Sequence, residues 1–419
     1  MVTDEDVLRA LPPRGFVRDF VLWAGQQTSA PIAYHLTAIL PVLAVTAPSN
    51  LSVEYAGPIN AHFYGMAVGR SGADMKTAGI SFASRLLTAG APALLGPKPS
   101  SYEALVDSLI RSPRQLHKYG ELGVFFSRGK QAHFEPVKMG YTEAFDGDSM
   151  SRSRAEQKGE KNALFAHDPR LSLMSACSLS YLEEHTTEDD WHGGLLGRFF
   201  LLYAQTNHVD PWPKSKPVPE EFIRQIELRA SIETAGPCVG RTEAGADLWD
   251  AWWDVHMKRK LPPLITGAGI RIGTLAVKMA LIYAWDFGCD DGSGGGPWTG
   301  QPWELDVCHL LPALQAAELY IKSLESLSGR LARHGDARLQ RKVLDVFGET
   351  ETLDEGQIAA RTQFSARNLT ELLKTLVLSR RLGKAIQPGQ APLFFLTAPV
   401  PAPVPRDSDD VCSSDYDCD

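Results

Sequence analysis

The chain has 419 residues, 44% of them hydrophobic, and a formal net charge of −8, which suits one large globular domain plus a small one. No stretch is apolar for long enough to cross a bilayer: residues 36–47 are short and broken by Pro41, and residues 275–284 carry Lys278. The N-terminus MVTDEDVLRALPP lacks a signal-peptide core, and six scattered cysteines without a C-x-x-C pair exclude a disulfide framework or structural zinc, so a cytoplasmic, membrane-free protein is expected.

In chain order, residues 14–47 read as two helices joined near Thr28-Ser29, with Pro31 suited to a first turn. A short run of β-formers ends at Gly69, the loop GRSGADMKT follows, and Lys76-Thr77 opens a helix. Residues 97–101 form a turn, with Ser101 as N-cap of the helix YEALVDSLIRS. The apolar run 122–127 (LGVFFS) is expected to be a buried parallel strand. Residues 146–163 read as a polar mobile loop, and 171–182 as another buried strand before GGLLGRFFLLYA. Alternating β and α segments predict an α/β sheet with helices on both faces.

After Pro219 the pattern turns helical: 220–232, a Trp-rich helix 243–260, 270–286, a Gly-rich linker 290–303 and a long helix 303–331. The Trp249, Trp252 and Trp253 cluster reads as helix packing. Residues 336–396 hold three helical segments and two β-like pieces around a Gly-containing turn, the layout of a winged helix-turn-helix with Ser365 as N-cap of its recognition helix. From Arg330 to Lys384 there are eleven Lys and Arg against seven Asp and Glu. Arg367, Lys374, Arg380, Arg381 and Lys384 therefore suit DNA phosphate contacts. The divisions expected are a helical lead-in (1–48), an α/β core (49–218), a helical annex (219–332), the winged unit (336–396) and an acidic tail (397–419). Residues 406–419 hold one Arg and six Asp, so the body carries only about −3, and the tail cannot bury a core.

Strand, glycine loop, Lys-Thr and helix form the layout of a phosphate-binding loop: backbone N–H groups and a helix N-terminus face the anion, Lys neutralises it, and the hydroxyl reaches Mg²⁺. The usual pattern has Gly directly before the Lys and six residues ahead of it; Met75 and Arg70 hold those places, and Gly69 lies seven ahead. An ordinary βα turn is the alternative. His185, His192 and His256 lack metal-ligand spacing. Arg152, Arg154, Lys158 and Lys161 suit a single-strand grip or a solvated loop.

Taken in order, SAPIAYHLTAILPVLAV, Asn50-Leu51, GRSGADMKT, FFS, AFDGD, LSLMSACSLSYL, GGLLGRFFLLY and GIRIGTLAVKMALIYA resemble domain-of-unknown-function family 3987 over about residues 10–325. These are P-loop proteins of phages, prophages and plasmids, often described as helicase- or primase-associated ATPases. The resemblance implies a RecA-like P-loop NTPase core, ATP and Mg²⁺ as cofactors, DNA as partner, a homo-oligomeric ring or filament, and a separate primase or polymerase. Carried over by position, Lys76 would contact the β/γ-phosphates, Thr77 would hold Mg²⁺, and Gly69, Ser71 and Gly72 would shape the loop. Arg198 would stabilise transition-state charge or pair structurally with Asp189 or Asp190. Ser178 would sense the γ-phosphate or simply be a buried, satisfied hydroxyl. The acidic pair expected after the LGVFFS strand is replaced by Ser127-Arg128. Glu121, Glu135 and Asp146 are the nearest substitutes, with Asp146 ranked first. The expectation is a DNA-acting helicase or replication-initiation ATPase. The alternatives are a non-hydrolysing DNA-binding adaptor and a defence ATPase sensing foreign DNA.

Overall fold

The computed structural model describes residues 1–128, 135–153, 163–186, 190–191, 194–206, 216–288, 296–347, 352–379, 381–386 and 391–397. The chain divides into two compact units, Met1–Leu331 and a second beginning at Ala332.

The first unit is built on Tyr64–Gly69, buried at every position, as a strand covered on both faces must be. This loop strand pairs in parallel with Arg170–Ser178 (the middle strand) and with Phe200–Tyr203 (the far strand). Arg114–Tyr119 (the edge strand) pairs in parallel with the outer side of the middle strand. The order across the sheet is edge, middle, loop, far.

Side chains alternate between faces along a strand, and the loop strand uses the alternation to fit two layers. Gly65, Ala67 and Gly69 face the helix Ile32–Thr46. Pro41 in that helix has no N–H to offer the Thr37 carbonyl; a Cβ at Gly65 would lie 2.0 Å from that oxygen. On the other face Tyr64 donates through its hydroxyl to Tyr141 O of the helix Glu135–Asp146. Helices therefore cover both faces of a parallel α/β sheet, as expected.

The apolar core is continuous from the N-terminal helices (Phe20, Leu40) through the sheet (Met66, Met174) to Ile282 and Tyr320. The lead-in, core and annex divisions thus belong to one unit. The expected helices near 16–25, 32–46, 102–111, 220–231, 243–257 and 272–287 are present. Ser101 accepts from Ala104 N as N-cap.

Several expectations are corrected. Residues 122–127 form no strand; Gly123–Arg128 is a short helix against Leu179–His185. The strand at that place in the sheet is Arg114–Tyr119, whose polar residues hid it: Gln115 and His117 are buried but bonded to Ser108 and Tyr141. The middle strand ends at Ser178, where a helix begins. Within the expected loop 146–163, Met150–Ser153 is a strand that pairs antiparallel with Ala163–Ala166, and residues 154–162 lie outside the described residues. Trp303–Leu305 is a strand paired in parallel with Cys238–Arg241, and the long helix starts at Val307 and runs to Leu344.

In the second unit, Glu355–Thr362 and Ala366–Leu378 follow the end of that long helix. Leu382–Ala385 and Leu393–Leu396 form the expected hairpin, and Thr352–Asp354 adds a third antiparallel strand. Its own core includes Val343, Leu353, Ile358, Leu373, Leu376 and Phe394. Ser365 holds the N-cap position with extended backbone, but its side chain makes no cap bond.

Candidate functional site

Chain direction decides where a crevice opens. The connection leaving the loop strand runs toward the edge strand, and that leaving the middle strand runs the opposite way, to the far strand. Adjacent strands with opposed connections create a crevice at their carboxyl ends, where open α/β sheets bind ligands. Gly69 and Ser178 are in register there.

Lys76 is the first residue of the helix Lys76–Gly90, and its N-cap, Met75, sits at φ 49° without a side-chain cap bond. The first-turn N–H groups of a helix have no intrahelical partner and carry the positive end of its dipole. Lys76 is 7% exposed and donates from Nζ to Arg70 O at 2.7 Å. A Cβ at Gly69 would lie 2.2 Å from the Tyr34 hydroxyl oxygen and 3.0 Å from Asp74 Cβ, so only glycine fits. Gly72, at φ +73°, faces open space. Ser71 and Thr77 are exposed.

The loop folds around Asp74. Its carboxylate accepts from Arg70 N at 2.6 Å, the Arg70 guanidinium at 2.8 Å and Thr206 N at 3.1 Å. Burial pushes the Asp74 pKa up, but these donors outweigh it and hold the group below its ordinary value.

Glu121 follows the edge strand by two residues and lies at the same carboxyl end. Its Oε1 accepts from Ser178 N at 3.0 Å and Gly123 N at 3.1 Å, and its Oε2 accepts from the Ser178 hydroxyl. Ser178 is thus a buried, satisfied hydroxyl. Burial lowers the Lys76 pKa, while Glu121, then Asp74 and Cys177, act in the opposite direction. Burial pushes the Cys177 thiol well up, and Glu121 adds to it. Asp74 and Glu121, not Asp146, are therefore the carboxylates at the Lys76 end of the sheet. Ser127-Arg128, on a helix, ends no strand.

Arg198 and Asp146 meet each other instead. Arg198 Nε donates to Asp146 Oδ1 at 3.2 Å, with a second, shorter contact between Nη2 and Oδ2, and Nη1 donates to Gly194 O at 3.1 Å. Arg198 precedes the far strand, and Gly65 is in register with Phe200. The pair therefore lies at the amino end of the sheet, beyond Gly65, which is itself about 13 Å from Gly69 at ~3.3 Å per strand residue. That distance separates both residues from a phosphate held at Lys76 of the same chain. Asp190, an expected partner of Arg198, pairs with Lys138 at 3.2 Å, and Asp189 lies outside the described residues.

A cleft of about 740 Å³ opens at this amino end, lined by His62, Asp146, Arg170 and Lys278 among others. Lys278 is buried and donates to Asn60 O at 3.0 Å and His62 O at 3.2 Å. Burial, then the Arg170 charge, holds its pKa well below the ordinary lysine value. These contacts tie the helix Ile272–Phe287 to the segment that enters the loop strand.

Among the DNA candidates, Lys374, Arg381 and Lys384 are exposed. Arg381 donates to Gln340 at 3.3 Å, and the Lys384 ammonium lies 5.9 Å from the Phe394 ring centre. The Arg367 side chain and Arg380 lie outside the described residues, as do Arg154, Lys158, Lys161 and His192. Arg152 is bound to Asp107. His256 lies 3.0 Å from Gly269 O, and among the described residues no group of His, Cys, Asp or Glu is arranged to hold a metal. Trp249, Trp252 and Trp253 contact one another and His256 in a packed aromatic row.

No protein-family model matches the chain, and no curated protein matches it.

Proposed function

We propose that this chain binds a nucleoside triphosphate with Mg²⁺ in a P-loop formed by residues 69–77 of a RecA-like core, and that it acts on DNA. One observation carries the reading. An uncapped helix N-terminus, a buried lysine (Lys76) and a carboxylate that follows the edge strand (Glu121) lie at the carboxyl end of a parallel sheet, at its switch point. The residues suit the ligand: the loop amides and Lys76 match phosphate charge, Gly72 leaves room, and Thr77 offers an exposed hydroxyl for the metal.

Bound ATP and Mg²⁺ would supply a phosphoryl group for transfer to water. The chain's own part is positioning. Lys76 releases the Arg70 carbonyl and neutralises the β/γ-phosphates. Glu121, held by Ser178 and Gly123, presents an oxygen able to orient a water or take its proton. The buried, paired Arg198 has a structural role in this reading.

The second unit is read as a winged helix, with Ala366–Leu378 as recognition helix and Lys374, Arg381 and Lys384 facing phosphates. A homo-oligomer and a separate primase or polymerase complete the picture of a helicase or replication-initiation motor.

A non-hydrolysing adaptor is the second reading, favoured by Met75: a side chain in the left-handed conformation stands where the usual loop has glycine. Titration with ATP and Mg²⁺, with phosphate release measured with and without DNA, separates the two. Wild type should bind and Lys76→Ala should not; Glu121→Gln should bind and lose turnover. Identical null titrations for wild type and Lys76→Ala would sink the nucleotide reading. Binding without any DNA-stimulated release in the wild type supports the adaptor.

A further inference from the structure

Strand order sets the direction in which a bound triphosphate runs. Glu121 stands past the edge strand and is bonded to Ser178 at the end of the middle strand, whereas the far strand lies on the other side of the loop strand. A terminal phosphate presented to Glu121 therefore sends the rest of the molecule toward the far strand. A cleft of about 380 Å³ opens on that side, lined by Val2, Asp4, Ser29, Pro31, Gln205 and Thr206 among others. Gln205 and Thr206 come just after the far strand, at its carboxyl end. Thr206 also belongs to the loop's own hydrogen bonds, donating from N to Asp74 Oδ1 at 3.1 Å, so cleft and loop share a wall. The Tyr34 hydroxyl lies 2.9 Å from Val68 O and 2.6 Å from Ala204 O, which sets the start of the helix Ile32–Thr46 at the carboxyl ends of the loop and far strands. Thr206 donates from Oγ1 to Ser29 O at 2.8 Å, and Val2 N donates to Tyr203 O at 2.9 Å, fixing two further sides.

We propose that this cleft holds the nucleoside, base and ribose together, of the triphosphate whose phosphates lie at residues 69–77. The placement rests on the nucleotide reading of that loop and supplies the part of the ligand that the loop itself has no means to recognise. Small-molecule sites are concave, of about 300–1,000 Å³, with mostly apolar walls and a few polar groups. The cleft is of that size and kind. Val2, Ala30 and Pro31 are buried in its wall and offer apolar area to a flat base. Asp4 accepts from Ile32 N through Oδ1 at 2.9 Å. Its second carboxylate oxygen is an acceptor suited to ribose hydroxyls, the pairing by which acidic side chains hold a ribose in dinucleotide folds.

The test uses the full chain with Mg²⁺ and compares ATP with inorganic tripolyphosphate, which carries the phosphates without the nucleoside, by isothermal titration. In wild type ATP should bind about tenfold or more tightly than tripolyphosphate. Ser29→Trp fills the cleft and keeps the backbone carbonyl that holds Thr206. It should weaken ATP by about tenfold and leave tripolyphosphate unchanged. Equal affinities of the two ligands in wild type would overturn the nucleoside site while leaving the loop reading intact. Unchanged ATP affinity in Ser29→Trp, or an equal loss for both ligands, would do the same. A wild type that binds neither ligand removes the loop reading and the cleft with it. Photolabelling of wild type with 8-azido-ATP needs no variant: the label should fall on peptides bearing residues 2–4, 28–32 or 205–206, and a label elsewhere overturns the placement.

Discussion

Lys76 must be charged to hold a phosphate, yet burial lowers its pKa. Because the ammonium is the binding form, ATP affinity should decline with rising pH from below the ordinary lysine range. In Lys76→Arg, whose guanidinium stays charged, any remaining affinity should lose that alkaline limb. Isothermal titration across pH checks both. At the amino end of the sheet, Lys278 donates to several carbonyls. Lys278→Met fills similar volume but leaves those acceptors without a donor, so unfolding free energy should drop by about 1–3 kcal/mol. Urea denaturation measures it, and ATP affinity at the distant loop should not move.

The fit of strand to helix is strictest at Gly65, where the Thr37 carbonyl, which Pro41 cannot bond, leans onto the loop strand. Gly65→Ala should destabilise by about 1–3 kcal/mol, since either the helix or the strand must shift; thermal melting reports it. Another junction is held by charge. Asp286, buried in the helix Ile272–Phe287, accepts from Phe16 N at 3.0 Å and Val17 N at 3.0 Å, and pairs with the buried Arg229 at 2.9 Å. It thus caps the helix Phe16–Gly25 from a segment about 270 residues away in sequence. Asp286→Ala strands a buried guanidinium and should cost about 3–5 kcal/mol, read as a lower urea midpoint.

Across the molecule, two hydrophobic cores predict two unfolding events. Leu373 is buried in the smaller core, and Leu373→Ala should cost that unit about 2–5 kcal/mol. Calorimetry should show the second unit melting early in this variant while the first melts as in wild type. Nucleotide binding should persist and DNA affinity should fall. One transition shifted as a whole would mean that the units do not fold independently.

Much of this organisation was legible in the chain. The apolar run before Gly69, the Lys76-Thr77 helix start, the Ser101 cap and the elements of the second unit rest on local signals: periodicity, caps and turn residues. The edge strand was not, because Gln115 and His117 interrupt its apolar pattern, and only the folded chain supplies Ser108 and Tyr141 to satisfy them. With that strand misplaced, Glu121 lost its position at a strand end. Arg198 and Asp146, each plausible beside a phosphate, turned out to answer one another at the far end of the sheet. Local sequence determined the loop strand, its turn and most of the helices, but not the edge strand. The order of parallel strands, set by contacts between residues far apart in the chain, decided that Glu121 joins the loop's own Asp74 at the Lys76 end while Asp146 lies at the other.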